Sequence, residues 1–175
     1  MYKRQRLGPV ELGSRLNLLP RAADRLAAAF ELGRAVECSR IEPRARIDSP
    51  EAAQRLLAPH LRGLDRETFW VVLLDVRHGI LDLHRVSEGT LTSSLVHPRE
   101  VFGPALRAGA AATLVAHNHP SGDPEPSSAD LEVTRRLEEA GQLLGVPLVD
   151  HLVLGGGGCV SLRSRGALQL ASAAP

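Results

Sequence analysis

Two short runs of apolar residues limit the folds that this chain can adopt. Phe69–Val76 and Ala112–Ala116 are almost uninterrupted by polar side chains. Runs of this length are typical of strands that are covered on both faces of a sheet. Ile80–Val86 instead alternates between apolar and polar residues, which predicts another strand. The chain is therefore predicted to contain a sheet with other elements packed against its faces.

Helical periodicity and helix-start signals account for most of the segments between these strands. The predicted helices are Arg21–Glu37, Ala52–Leu61, one that begins at Pro98, and Ser127–Leu144. Gly103 and Pro104 are expected to kink or restart the third helix, because proline removes a backbone donor. The further predicted strands are Thr90–Val96, Leu148–Leu154 and Val160–Leu162. Strands and helices alternate irregularly, which favours an α/β fold of the α+β type, with a mixed sheet flanked by helices.

Charge divides the chain into a basic N-terminal segment and a main domain. Residues 1–47, predicted to be a short helical segment, carry ten Lys and Arg against five Asp and Glu. Residues 48–170 are predicted to form the main domain, and residues 171–175 a frayed tail. The excess positive charge predicts weak, non-specific contact with DNA through the N-terminal arginines, namely Arg4, Arg6, Arg15, Arg21 and Arg25. A solvated basic helix face is the alternative interpretation.

The composition excludes several classes of protein. With 175 residues, of which 43% are hydrophobic and 23% charged, the chain is neither disordered nor too short for a core. No apolar run reaches the roughly 18 residues of a membrane span, and no apolar stretch of a secretory signal follows the basic N-terminus. The two cysteines, Cys38 and Cys159, form neither a four-thiolate site nor a disulfide framework. We therefore expect a cytoplasmic protein without a membrane partner.

A polar stretch that directly follows the second apolar run carries the strongest chemical signal. His117 and His119 lie two positions apart at the end of this strand, so both rings point to the same side and Asn118 to the other. Two imidazoles placed in this way can hold one metal ion. Asp130, in the first turn of the next helix, is brought back by a proline-rich loop as a third ligand. This set leaves a fourth position for water, as in catalytic zinc sites, and predicts one Zn²⁺ per chain.

The same residues also fit purely structural roles. Ser127 and Asp130 have the spacing of a capping box, in which the serine side chain caps the helix and the aspartate side chain bonds back to the serine N–H. A histidine pair on a strand end is also compatible with ordinary packing. The joint pattern, H-x-H-P-x6-S-x2-D, is far more specific than either part, and it favours the metal site.

This joint pattern resembles the zinc signature of JAMM-type metalloproteases, whose domain is called MPN or JAB. Within that class the chain is similar to the RadC family, through Val96–Phe102, His117–Asp130 and Asp150–Val153. The similarity extends from about Ser49 to Gly166. It implies an MPN/JAB fold, in which a mixed sheet flanked by helices holds the metal at its edge. It also implies a zinc-dependent metallo-hydrolase that cleaves a peptide or isopeptide bond in a protein or peptide substrate.

The resemblance also assigns roles to individual residues. It implies that His117, His119 and Asp130 are the zinc ligands. Ser127 is implied to hold the carbonyl oxygen of the substrate or the tetrahedral intermediate.

JAMM enzymes also use a glutamate from an earlier strand as the general acid–base. Glu67 is the first candidate, because it opens the strand Phe69–Val76 as that glutamate opens its strand in the wider class. Glu88, next to Gly89, is the second candidate. An exposed carboxylate at a strand end is the alternative role for Glu67. Asp150 and His151 are predicted to be structural, with hydrogen bonds near the site.

A DNA-associated repair-type protein with an auxiliary metal site is the alternative function. RadC-like chains usually carry a longer N-terminal region with a helix-hairpin-helix module, and Leu12–Arg34 resembles only its second half. Leu18-Leu19-Pro20 stands where the glycine-rich hairpin would approach phosphates, which argues against DNA binding. The five aromatic residues argue against base stacking. A zinc deaminase is excluded because its H-x-E and P-C-x-x-C motifs are missing.

Overall fold

The structure, a computed structural model, describes residues 8–39, 45–89, 96–156 and 158–168. The chain divides into two units, Met1–Ile41 and Glu42–Pro175. The predicted tail 171–175 lies outside the described residues, as does nearly all of the predicted strand Thr90–Val96. Within the described part of the chain, no helix combines the length and the apolar character that crossing a bilayer requires.

The N-terminal unit contains two helices that pack against each other, α1 (Pro9–Leu16) and α2 (Pro20–Ser39). Asn17 ends α1 in the left-handed conformation, with φ of 51°. Pro20 occupies the first position of α2, where its missing N–H would have no helical partner. A Cβ atom on Gly13 would lie 3.5 Å from that of Ala23, an ordinary van der Waals contact, so the two helices lie close together here.

The second unit is built on one sheet. Its elements are α3 (Pro50–Leu61), β1 (Thr68–Leu74), β2 (Ile80–Glu88), α4 (Pro98–Ala108), β3 (Ala112–Asn118), α5 (Ser128–Leu144), β4 (Leu148–Leu154) and β5 (Cys159–Ser161). The strand order is β2-β1-β3-β4-β5. β3 and β4 are parallel and are joined by α5, whereas the other neighbouring strands are antiparallel. The predicted mixed sheet with helices is therefore confirmed.

The apolar strands β1 and β3 contribute to two cores, one on each face of the sheet. Successive side chains of a strand point to opposite faces, so each strand supplies both cores. The core on the α3 side includes Leu57, Leu61, Val72, Leu114 and Leu152. The core on the side of α4 and α5 includes Val71, Phe102, Val115, Leu137 and Val153. This double burial explains why both strands appear in the sequence as continuous apolar runs.

The predicted restart of the helix at Gly103 and Pro104 is wrong, because α4 continues from Pro98 through Pro104 to Ala108. The proline removes a single backbone donor from the helix. Val101, Phe102 and Ala105 are completely or almost completely buried, on both sides of Pro104 in the sequence. Packing of this apolar face therefore outweighs the local preference of proline to break a helix.

Candidate metal centre

The central strand β3 carries the two predicted histidines at its carboxyl end. His117 is completely buried, and Phe69 of β1 is its partner in the sheet. His119 follows the last strand residue, and its N–H donates to the carbonyl of Leu154 at 2.9 Å. The Nε2 atoms of the two rings are 3.0 Å apart. The structure therefore places both rings on one side of the strand, as their spacing predicts.

The side chain of Asn118 points to the opposite face of the sheet from the two histidines, and it hydrogen-bonds to the backbone at the start of β1. Its Oδ1 accepts from the Thr68 N–H at 2.9 Å, and its Nδ2 donates to the Arg66 carbonyl at 3.0 Å. These two hydrogen bonds bracket Glu67 on both sides. The side-chain amide of Asn118 thus fixes the backbone position of Glu67.

Asp130 completes a cluster of three groups that can hold a metal ion. Its Oδ1 is 3.1 Å from Nε2 of His117, and its Oδ2 is 3.3 Å from Nε2 of His119. The carboxyl side chain is only 6% exposed. Ligand atoms of all three residues lie within 4.8 Å of one another. The structure therefore brings together all three residues that the sequence predicts as ligands.

Asp130 also caps α5, together with Ser127. The Ser127 hydroxyl accepts from the Asp130 N–H at 3.2 Å, and Oδ2 of Asp130 accepts from the Ser127 N–H at 2.7 Å. The same hydroxyl donates to Oδ2 at 2.7 Å. Oδ2 thus serves the cap and also faces His119, whereas Oδ1 faces His117. The cap and the cluster are compatible, because Oδ1 takes no part in the capping box.

Hydrogen bonds keep Asp130 ionised in its buried position. Burial alone would raise the pKa of this carboxyl, because it disfavours the charged form. The His117 ring and the Ser127 hydroxyl and N–H outweigh burial and hold the pKa of Asp130 well below its usual range. Asp130 therefore offers an ionised oxygen to the cluster.

The donor set and its spacing fit a zinc ion. Nδ1 of His119 lies 2.9 Å from the Asp123 carbonyl, which can only accept, so this nitrogen carries the proton of the neutral ring. The lone pair of His119 is then on Nε2, which faces the cluster. Tetrahedral ligands at about 2.0–2.1 Å from zinc are about 3.3 Å apart, close to the three separations in the cluster.

The structure separates the two glutamate candidates. Glu67 lies immediately before β1, two residues from Phe69, the partner of His117. Glu88 ends β2, which is separated from β3 by β1. It is exposed and pairs with Arg85 at 2.7 Å. Of the two carboxylates, Glu67 is therefore the one that directly precedes the strand adjoining the histidines.

Two residues near the cluster are His151 and Thr134. Nε2 of His151 lies 2.9 Å from Nδ1 of His117, and Nδ1 of His151 lies 2.6 Å from the Thr134 hydroxyl. Complete burial, with the nearby His117 ring, lowers the pKa of His151 well below its usual range. The sequence predicts hydrogen bonds of His151 near the site but gives no such role to Thr134. The only available signal is its position, one helical turn after Asp130.

Asp150, the neighbour of His151, connects the last two strands. Its Oδ1 accepts from the His151 N–H at 2.7 Å, and its Oδ2 accepts from the Ser161 hydroxyl at 2.6 Å. Burial raises the pKa of this carboxyl, although these hydrogen bonds oppose the shift. Both contacts support a structural role for Asp150.

A glycine contact holds the loop between the histidines and α5. The Gly156 N–H donates to the Gly122 carbonyl at 2.8 Å, next to Asp123, whose own carbonyl holds His119. A Cβ atom on Gly155 would overlap this Gly122 carbonyl and lie 2.7 Å from the backbone nitrogen of Pro124. Gly155 is therefore needed for the close approach of two loops.

Gly155→Ala should destabilise the fold and weaken metal binding, because the added methyl displaces the loop that orients His119. We expect a loss of about 1–3 kcal/mol in the free energy of unfolding, the usual effect of overpacking. Gly156→Ala is the matched control, since its Cβ would meet no atom closer than 3.6 Å. Urea unfolding and zinc titration of both variants check this prediction. Equal behaviour of the two variants would contradict it.

Comparison with known proteins agrees with the geometry of this site. Residues 47–167 match the family described as the RadC-like JAB domain. A UPF0758 protein of Symbiobacterium thermophilum is 52% identical over 128 residues, which cover 72% of this chain and 55% of the relative. UPF0758 proteins of Desulforudis audaxviator and Syntrophotalea carbinolica are 44% and 47% identical, over 84% and 85% of this chain.

The matches cover only part of each relative. The chain spans 55%, 64% and 66% of the lengths of these three proteins. The family match, in contrast, contains every element from α3 to β5, and with them the cluster of His117, His119 and Asp130. This chain therefore belongs to the RadC-like JAB-domain family.

Proposed function

We propose that this protein is a zinc-dependent metallo-hydrolase that cleaves a peptide or isopeptide bond in a protein or peptide substrate. The observation that carries the proposal is the convergence of two imidazole nitrogens and one ionised carboxylate on a single point. When bound there, zinc would keep a position for water and lower the pKa of that water to about 7. Membership of the JAB-domain family supports the same chemistry.

Glu67 is the proposed general acid–base. Hydrolysis of an amide requires a group that takes a proton from the attacking water and later gives it to the leaving nitrogen. This group must stay off the metal, so that the position for water remains open. The hydrogen bonds of Asn118 to the neighbours of Glu67 support this role, because they fix the glutamate next to the histidine-bearing strand.

Ser127 is proposed to hold the substrate carbonyl oxygen in addition to capping α5. Ser127 is an exposed residue at the start of the helix, and its hydroxyl donates to Oδ2 of Asp130 at 2.7 Å. In the resting protein this hydroxyl donates its proton to Asp130. A substrate oxygen would therefore have to compete with the carboxylate for the same proton.

Metal analysis tests the proposed function. Protein purified without chelators should contain close to one zinc per chain, and His119→Ala should lose it, because two ligands hold zinc far more weakly than three. His84→Ala is the matched control: this ring lies on β2, where it pairs with Asp82 at 3.1 Å. Wild-type protein that stays free of metal after zinc addition would overturn the proposal.

A second pair of variants separates the ligand from the cap. Ser127→Ala removes the capping hydroxyl and should cost about 1 kcal/mol of stability while zinc is retained. Asp130→Ala removes both the cap and a ligand, and it should lose zinc as well. Retention of zinc by Asp130→Ala would exclude the carboxylate from the ligand set.

Two further proposals concern the setting of the protein. A cytoplasmic location is supported by Cys159, whose thiol is free, as thiols of cytosolic proteins usually are. Weak DNA contact through the N-terminal arginines remains a prediction. Arg4 and Arg6 lie outside the described residues, and Arg15 is paired with Glu11 at 2.8 Å.

A further inference from the structure

Three buried hydrogen bonds run from the ring of His117 back to the main chain of Asp130. Nδ1 of His117 meets Nε2 of His151 at 2.9 Å, and Nδ1 of His151 meets the Thr134 hydroxyl at 2.6 Å. That hydroxyl lies 2.6 Å from the Asp130 carbonyl oxygen. His117 and His151 are completely buried, and Thr134 is 1% exposed. Water therefore has little access to this chain of contacts.

The direction of each hydrogen bond follows from the group at the end of the chain of contacts, the Asp130 carbonyl oxygen, which can only accept. A carbonyl oxygen carries no proton, so the Thr134 hydroxyl must donate to Asp130, since two oxygens at 2.6 Å would otherwise repel. With its only proton committed, the hydroxyl accepts from Nδ1 of His151. The neutral His151 ring then has a bare Nε2, which accepts from Nδ1–H of His117. Nε2 of His117 then remains for zinc, which would replace the contact of this nitrogen with Oδ1 of Asp130 at 3.1 Å.

Nε2 of His117 faces the other two groups of the metal cluster. Nε2 of His117 is 3.0 Å from Nε2 of His119 and 3.1 Å from Oδ1 of Asp130. His151 itself cannot serve as a ligand in this arrangement, because both of its ring nitrogens are engaged with Thr134 and His117. A histidine ligand usually donates its second N–H to a carboxylate, a carbonyl or a water. Here the acceptor is a second neutral histidine, His151. It can accept on Nε2 only if its own proton is held on Nδ1.

We propose that Thr134 is a positioning residue that sets the tautomers of His151 and His117, and thereby presents the Nε2 lone pair of His117 to zinc. The inference rests on the proposed metal site for its purpose, but the proton arrangement itself exists without metal. The Asp130 main chain thus orients one zinc ligand while the Asp130 side chain supplies another. Both depend on the first turns of α5.

Thr134→Val tests the proposal, because valine keeps the shape of threonine but lacks the hydroxyl. Nδ1–H of His151 then loses its acceptor, so the ring can adopt the other tautomer and force a proton onto Nε2 of His117. We expect zinc affinity, measured by competition with a chelator, to fall roughly 10- to 100-fold. Thr134→Ser restores a hydroxyl and should keep the wild-type affinity.

The ¹⁵N chemical shifts of the imidazole rings in the zinc-free protein provide the second readout. Wild type and Thr134→Ser should show a proton on Nδ1 of His117, and Thr134→Val should show a bare Nδ1. His119 is the internal control, since its Nδ1 donates to the Asp123 carbonyl and should not change in any variant. An unchanged His117 tautomer in Thr134→Val overturns the proposal, even if zinc binding is weaker, because the effect would then be structural.

These readouts separate failure of this inference from failure of the proposed function. Wild-type protein that binds no zinc would refute the hydrolase, while the tautomers of the zinc-free protein would still decide the role of Thr134. Normal zinc content with a bare Nδ1 on His117 in the zinc-free wild type would refute the inference alone. Circular dichroism of Thr134→Val and Thr134→Ser checks that both variants are folded.

Discussion

Glu67→Gln should leave the zinc content and the fold unchanged and slow hydrolysis by roughly 10²–10⁴-fold, the usual contribution of a positioned acid–base. Glutamine keeps the shape of the side chain and one hydrogen-bonding oxygen but cannot take a proton at neutral pH. Because the variant retains the metal, the loss appears in kcat rather than in zinc affinity. The rate is measured on a peptide or isopeptide substrate that the zinc-loaded wild type cleaves.

Glu88→Gln is the control for this experiment. Glu88 is exposed on β2, two strands away from β3, and pairs with Arg85. Its substitution should change the rate by less than about twofold, because exposed ion pairs contribute little. An inactive Glu88→Gln with an active Glu67→Gln would reverse the assignment. Full activity of both variants would exclude general base catalysis from this part of the chain.

Phe69→Ala should lower the free energy of unfolding of the zinc-free protein by about 3–5 kcal/mol, a large part of the stability of a typical domain. The ring is 1% exposed. It stacks on His117 with centroids 5.9 Å apart and meets His151 edge-on at 5.4 Å. The substitution therefore leaves a cavity beside both histidines. Urea unfolding followed by circular dichroism measures the loss.

Phe102→Ala separates the loss of packing from the loss of ring orientation. Phe102 belongs to the same core and is equally buried, but it lies on α4. Both alanine variants should lose similar stability, whereas only Phe69→Ala should also weaken zinc binding. The experiment uses zinc-free protein for the unfolding curves, because a ligand that binds the folded state adds to its apparent stability. Equal zinc affinity in the two variants would contradict a role of Phe69 in orienting the rings.

The sequence predicts those parts of the site that depend on local periodicity. The spacing of His117 and His119 places both rings on one side, because side chains alternate along a strand. The capping pattern of Ser127 and Asp130 marks the start of α5, and the structure contains that capping box. The continuous apolar runs in β1 and β3 also predict a sheet that is buried on both faces, because successive side chains of a strand point to opposite faces.

The contacts that connect distant segments could not be predicted in this way. In the sequence, nothing distinguishes Thr134 from other helix residues. Its contact with the site depends on the parallel pairing of β3 and β4, which brings His151 to His117. Glu67 and Glu88 become distinguishable only when the strand order is known, since both lie at the ends of predicted strands. The need for glycine at position 155 depends on a loop more than thirty residues earlier in the chain.

The parallel pair β3 and β4, with α5 between them, has a consequence for how the site is assembled. Asp130 follows His117 by only thirteen positions, so the ligands meet when a short loop closes, at a small entropic cost. Thr134 and His151 belong to the same crossover unit, as do the carbonyls that fix both imidazoles. All three groups of the candidate metal cluster therefore come from one contiguous module of the chain. The neighbouring strand β1 adds Phe69, which packs on the rings, and follows Glu67, the proposed acid–base, but it supplies none of the three groups.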